Sequence, residues 1–358
     1  MNFITISTQL LFLSFILLLL SLIPLGFVVR NKTPRMLFLA HSFIYSTIIC
    51  QLLFIMTRWI GVGHAPVSNM YEFMTFFGIL FLLVSLFIYQ HYKQIAILLF
   101  SATIAIIIIG YGATFSHDAS PLIPALQSHW LAVHVITVAL SSAILSISFI
   151  TSLLCLLQKI DRNKHPKAHI ALECILFQLV VVIGYIINQL VVARFITPTI
   201  LAYDNSGLFH APQWLDIHKA NTLLLAYGTG FLLYIGLRII GKKTIVGILQ
   251  PFTVNLSPQT LDDITYQAIL IGFPLFSLGG LVFAMIWAQQ AWGRFWGWDP
   301  KEVWALITWL FYAGLLHFRF VKEADEEKTA WLAIIGFALI IFNQVFVNLI
   351  IAGLHSYA

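Results

Sequence analysis

The 358 residues are 60% hydrophobic, only 9% carry a charge, and the formal net charge is +5. A soluble domain carries about a quarter charged residues, so this balance excludes a soluble globular protein and describes a polytopic membrane protein. The basic excess is confined to short loops, which excludes a nucleic-acid partner.

The apolar runs predict an all-α protein with ten membrane-spanning helices. They fall at roughly 10–29, 36–57, 70–90, 94–112, 131–157, 170–192, 218–240, 264–288, 302–320 and 330–352. No basic side chain stands in residues 1–9 and the first run is long, so it reads as a retained span rather than a cleaved leader. Fourteen of the nineteen Lys and Arg fall in one set of loops, including Arg30, Lys93, Lys164, Lys242 and Lys322. The other set has five: Arg58, Arg194, Lys219, Arg294 and Lys301. The positive-inside rule makes the first set cytoplasmic and puts both termini outside. The expectation is one transmembrane helical domain over 1–358.

Three cysteines, Cys50, Cys155 and Cys174, lie in or beside apolar segments without a CxxC pair, which argues against a disulfide framework or thiol-redox motif. The longest outer loops run from Gly112 to Trp130 and from Arg194 to Trp214. Each leads into a short echo, Trp130-Leu131 with His134 and Trp214-Leu215 with His218. The echo is either chance or the mark of an extra helix pair over 170–240.

His134, Thr137 and Ser141 form a polar stripe on the fifth span, by their spacing of i, i+3 and i+7. A histidine there either bonds a neighbouring carbonyl or binds a ligand, for polar groups inside a span are functional candidates. His129, five residues earlier, points about 140° away on a helix of ~3.6 residues per turn. Gln344, Asn348 and His355 fall close to one face of the last span and its extension. His41 and His317 lie toward the cytoplasmic ends of the second and ninth spans; His317 could also simply reach the interface.

The chain is organised around WAQQAWGRFWGWDPKEVWALITW, from Trp287 to Trp309, which holds six of the ten tryptophans. Gly293, Gly297 and Pro300 prevent one straight helix. Indoles gathered in one loop offer broad flat surfaces to a planar apolar ligand; the alternative is an interfacial aromatic belt. Asp299, Pro300 and Glu302 have the spacing of a capping box opening the ninth span. Lys301 and Arg294 are cations placed to meet a ligand's carboxylates. Glu72, Asp262 and Asp263 have no partner evident in the sequence.

WGRFWGWDPKEVWALITW resembles the tryptophan-rich WWD signature of cytochrome c haem-attachment proteins, and in particular of the CcsA (ResC) family. The likeness continues in RWIGVGHAPVSNMYEF (Arg58 to Phe73), LQSHWLAVHV (Leu126 to Val135), LDDITYQAILIGFP (Leu261 to Pro274) and NLIIAGLHSYA (Asn348 to Ala358). The resemblance implies a cytochrome c synthase subunit that delivers haem and attaches it to apocytochrome c at the outer face of the membrane. It implies His134 and His355 as axial ligands of an outer haem b with ferrous iron, a substrate in transit. Trp292, Trp296, Trp298, Asp299 and Trp304 would lie around its ring. His317 would bind a second, intramembrane haem, opposed by His41 or by a residue of a CcsB (ResB)-type partner. His218 is the rival to His134. The implied location is a bacterial cytoplasmic membrane with the tryptophan loop facing outward. No residue stands out as a catalytic acid or base, because thioether formation at the haem vinyls needs proximity and orientation. Two other readings compete: a haem exporter that performs no ligation, and an integral b-type electron carrier.

Overall fold

The computed structural model describes residues 2–31, 33–118, 122, 124–192, 220–322 and 325–347. Among these it is all helical. The helices are α1 Phe3–Asn31, α2 Pro34–Val62, α3 Met70–Tyr92, α4 Ile95–Gly112, α5 His129–Lys159, α6 Pro166–Ile187, α7 Ala220–Gly241, a short α8 Ile245–Leu249, α9 Pro258–Phe276, α10 Ala284–Trp292, α11 Pro300–Lys322 and α12 Glu326–Ile341. Three π-helical segments, Asn188–Val192, Ser277–Phe283 and Phe342–Phe346, extend α6, join α9 to α10, and extend α12. Among the described residues ten helices are long and apolar enough to cross a membrane, and each coincides with one of the ten spans expected from the sequence. The chain is a membrane-integral protein.

Two compact units emerge. The first comprises the described residues of 1–112, 116–159 and 252–358. Its axis is α5, whose apolar stretch is 89% buried, the most of any span. The sequence explains why a polar-looking helix lies at the centre. Ser142, Ser146, Ser148 and Thr151 are fully buried, and small side chains let neighbouring backbones approach. Three of these hydroxyls return to their own helix: Ser146 Oγ donates to Ser142 O, Ser148 Oγ to Leu145 O and Thr151 Oγ1 to Ile147 O. Around α5 pack α9, α12, α3 and the Ser277–Phe283 segment. Leu145, Ile269, Phe276, Tyr312, Ala333 and Ile340 form the core that this packing encloses. α1 runs along α2, with Ser7, Ser14 and Ser21 buried at heptad spacing on one face.

Two of the three acidic residues without evident partners in the sequence, Glu72 and Asp262, acquire them in three dimensions. Glu72 pairs with Arg58 at 2.9 Å, both side chains essentially inaccessible. Asp262 takes both Nη atoms of Arg319 at 2.6 Å each. Sequence could not show either pair, because 14 and 57 residues separate the members.

The second unit comprises the described residues of 113–115 and 160–251. In it α6 and α7 pack together, with Gly184 against the backbone of Gly230. Glu173 ties it at one end, accepting from Tyr234 Oη at 2.8 Å and from the amides of Ile245 and Val246 at 2.9 and 3.0 Å.

Candidate functional site: a tryptophan-walled cleft

The first unit contains an open cleft lined mostly by apolar and aromatic side chains with a few polar groups, the character of a site for an organic ligand. Its walls come from the 67–70 loop and α3, the first turns of α5, the Ser277–Phe283 segment with α10, the tryptophan loop, the start of α11, and the end of α12.

His134 lies in this cleft, on α5. Its Nδ1 is 2.8 Å from Gly279 O. A carbonyl only accepts, so Nδ1 carries the proton, and the lone pair of the neutral ring is on Nε2. That division is typical of metal-binding imidazoles, in which one nitrogen is held by a carbonyl and the other ligates. Bonding a carbonyl and binding a ligand, posed as alternatives for this residue, are therefore compatible. The bond depends on Gly279: a Cβ there would stand 2.8 Å from Val138 N and 2.9 Å from Thr137 C, in the backbone of α5. The glycine lets the two backbones approach closely enough for the carbonyl to reach the imidazole.

Trp287 holds the ring from the side, its indole parallel to the His134 imidazole within 8° at 5.8 Å. It is 2% exposed, with Nε1 donating to Ala125 O at 3.0 Å. Trp292 packs edge-on against it at 4.8 Å. The sequence marked Trp287 as part of the cluster; its place as the stacking partner of His134 was not legible there.

The loop itself is built by backbone geometry. Gly293 closes α10 in the left-handed region at φ 70°, where glycine avoids the clash that a Cβ brings. The capping box forms as expected: Asp299 Oδ1 accepts from Lys301 N, while Glu302 Oε2 accepts from Asp299 N at 3.1 Å. The same oxygen also accepts from Gly297 N at 2.8 Å, so Glu302 folds the tryptophan loop back over α11.

The expected site residues fall into distinct groups. His134 and Trp296 line the cleft, with Trp292 behind Trp287. Trp298 meets Trp296 edge-on at 5.8 Å and is otherwise 70% exposed. Trp304 packs against Phe342 at 4.3 Å. Asp299 is buried as the cap of α11. Lys301 and Glu302 line the cleft, whereas Arg294 is exposed and beside Gly297. His129 is exposed, in keeping with its expected divergence from His134. His317 is exposed on α11. His41 Nε2 is 2.8 Å from Tyr89 Oη. The principal neighbours of α2 are α1 and α3, and those of α11 are α9 and α12, so His41 and His317 share no substantial helix interface. His355, His218 and Asn348 lie outside the described residues. Residues that sequence reasoning passed over are Gly279 and Asn343; Asn343 lines the cleft beside Gln344, which the sequence had placed on a polar face of the last span, and both have buried amide oxygens.

Among the described residues, no three His, Cys, Asp or Glu side chains gather to hold a bare metal ion. A single presented imidazole beside flat indoles instead suits an iron whose equatorial ligands come with an organic ring.

The chain is similar over most of its length to known proteins. The family described as cytochrome C assembly protein matches residues 67–355. The cytochrome c biogenesis protein CcsA of Prochlorococcus marinus (strain MIT 9312) is 32% identical over 350 residues, covering 96% of this chain and 92% of the relative. CcsA of Crocosphaera subtropica (strain ATCC 51142 / BH68) is 31% identical over 86% of this chain and 84% of its own length. CcsA of Guillardia theta is 30% identical over 96% and 94%. The chain belongs to the CcsA family, and its role lies in cytochrome c maturation.

Proposed function

We propose that the cleft binds haem and presents it for covalent attachment to apocytochrome c. The observation that carries this reading is the His134 imidazole, held through Nδ1 by Gly279 O and stacked on Trp287 in an aromatic cleft. His134 Nε2 would be one axial ligand of a ferrous iron. His355 would be the other, by family likeness. Trp287 would hold the imidazole upright to the ring plane, and Trp296 would lie against the macrocycle.

Attachment joins each cysteine sulfur of the substrate's CxxCH segment to the inner carbon of a haem vinyl. The thiol hydrogen goes to the terminal carbon, so the addition balances without an oxidant. What this chain supplies is position: the imidazole fixes the iron, the indoles fix the ring plane, and the apolar wall excludes water. A second haem at His317 would enter from the cytoplasmic side. His317 is exposed on α11, which supports an opposing ligand from a CcsB (ResB)-type partner rather than from His41, whose Nε2 meets Tyr89. The tryptophan loop would face the outside of a bacterial cytoplasmic membrane.

The test is the visible spectrum of the protein purified with and without its partner, native and as His134→Gly, His355→Gly and His317→Gly. Reduced bis-histidine bands that are lost in the variants, with attachment restored by added imidazole, are the expected result. Variants that retain the native bands would refute the ligand assignment, and a preparation that never binds haem would refute the function.

A further inference from the structure

The inner end of the cleft carries polar groups that the protein itself does not satisfy. Asn343 and Gln344 lie in the π-helical segment Phe342–Phe346 and line the cleft. They are 9% and 8% exposed. Gln344 Nε2 donates to Ser142 Oγ at 2.8 Å, which anchors that amide against α5. Asn343 Oδ1 and Gln344 Oε1 are buried without a hydrogen-bond partner. Ser142 follows His134 by eight residues, which places the amides about 12 Å further along α5 at ~1.5 Å per residue. The rest of the cleft wall gives these oxygens no bond. Val138, Phe276 and Ile340 are apolar, and the Thr308 hydroxyl is spent on Trp304 O at 2.7 Å.

Two orphaned amide oxygens on adjacent residues of one cleft call for an occupant that donates to them. A primary amide sets a carbonyl beside an NH2 group. Its complement is a carboxyl, whose O–H donates to the amide oxygen while its C=O accepts from the nitrogen. Transfer into an apolar cleft favours the neutral acid, the form that makes this pair.

We propose that Asn343 and Gln344 receive the carboxyl groups of the planar ligand, and so set which edge of it faces inward. The inference rests on the haem reading above and extends it. Haem bears two carboxyls on one edge and its vinyls away from them. With the acid edge at the amides, the vinyls lie toward the tryptophan loop and the mouth, where substrate thiols arrive. The rival receptor is Lys301, a cation in the cleft wall at the opposite end.

The experiment titrates the full-length protein in detergent with iron protoporphyrin IX and with its dimethyl ester, followed by the Soret band and corrected for partition into empty micelles. The native protein is expected to bind the diacid about tenfold more tightly than the ester, a ratio that one or two neutral hydrogen bonds supply. Asn343→Leu breaks no bond within the protein, so folding is not at stake; it and Gln344→Met are expected to bring the ratio toward one while ester binding persists. Equal binding of diacid and ester by the native protein would overturn the proposal and leave the haem reading intact. So would a preference that survives in both amide variants and disappears in Lys301→Met. Failure of the native protein to bind either compound would overturn the haem reading and this proposal with it.

Discussion

Gly279→Ala isolates the contact on which the site depends. The added Cβ would lie 2.8 Å from Val138 N, and ordinary contact begins near 3.4 Å. The π-helical segment must therefore retreat from α5 by roughly 0.6 Å, since packed interiors have no slack to absorb the methyl. The same retreat stretches the His134 Nδ1–Gly279 O bond from 2.8 Å to about 3.4 Å, beyond the ~3.2 Å limit of a good N–H···O bond. Overpacking costs ~1–3 kcal/mol and the lost bond another ~1 kcal/mol. Loss of the partner that orients a ligating histidine lowers metal affinity by ~10–100-fold. Denaturant unfolding in detergent measures the first effect and Soret titration with haem the second. Gly314→Ala is the control, because a Cβ there meets nothing within 4 Å; it should be neutral or stabilising by up to ~1 kcal/mol. If Gly279→Ala matches the native protein in both assays, the glycine is not what brings the carbonyl to His134.

The buried Arg58–Glu72 pair gives a double-mutant cycle: Glu72→Leu and Arg58→Met should each cost about 3–5 kcal/mol, because each strands a buried charge, and the double variant should cost less than either. Additive losses in denaturant unfolding would mean that water already reaches the pair. At the tryptophan loop, Glu302→Ala removes the acceptor shared by Gly297 N and Asp299 N and should cost about 1–2 kcal/mol with a shift in tryptophan fluorescence. Glu302→Gln keeps an acceptor at the capping position and should behave like the native protein; if it behaves like the alanine variant, the carboxylate charge matters and capping is the wrong account.

The sequence carried the spans because membrane insertion is a local demand: about twenty apolar residues must succeed one another whatever they pack against. The capping box was legible for the same reason, since Asp299, Pro300 and Glu302 act on amides within a few residues. The cleft was legible only in part. Clustered tryptophans announced flat surfaces, but nothing in their order distinguishes Trp287, which stacks on His134, from Trp304, which meets Phe342. That choice is made by how α10 and α11 lie against α5 and α12. Glu72 and Asp262 looked unpartnered because their cations belong to other helices. Asn343 went unmarked although Gln344 beside it was placed on a polar face: an amide in an apolar span gains meaning only from the groups that fail to pair with it.

Two of the three π-helical segments border the cleft, and they carry its least expected polar groups. One presents Gly279 O to His134; the other holds Asn343 and Gln344. In a membrane a regular helix hides its backbone groups within itself, so a span offers little polar chemistry except through side chains. A π turn inserts one extra residue, loosens the hydrogen-bond ladder and redirects the helix beyond it. Near the first segment stand Pro274, which lacks an N–H for the ladder, and the Gly279-Gly280 pair. The site thus depends on departures from helical regularity as much as on its histidine. A variant that restored regular α-helix through 277–283 would be expected to keep the span in the membrane and turn Gly279 O away from His134, separating insertion from ligand binding in one protein.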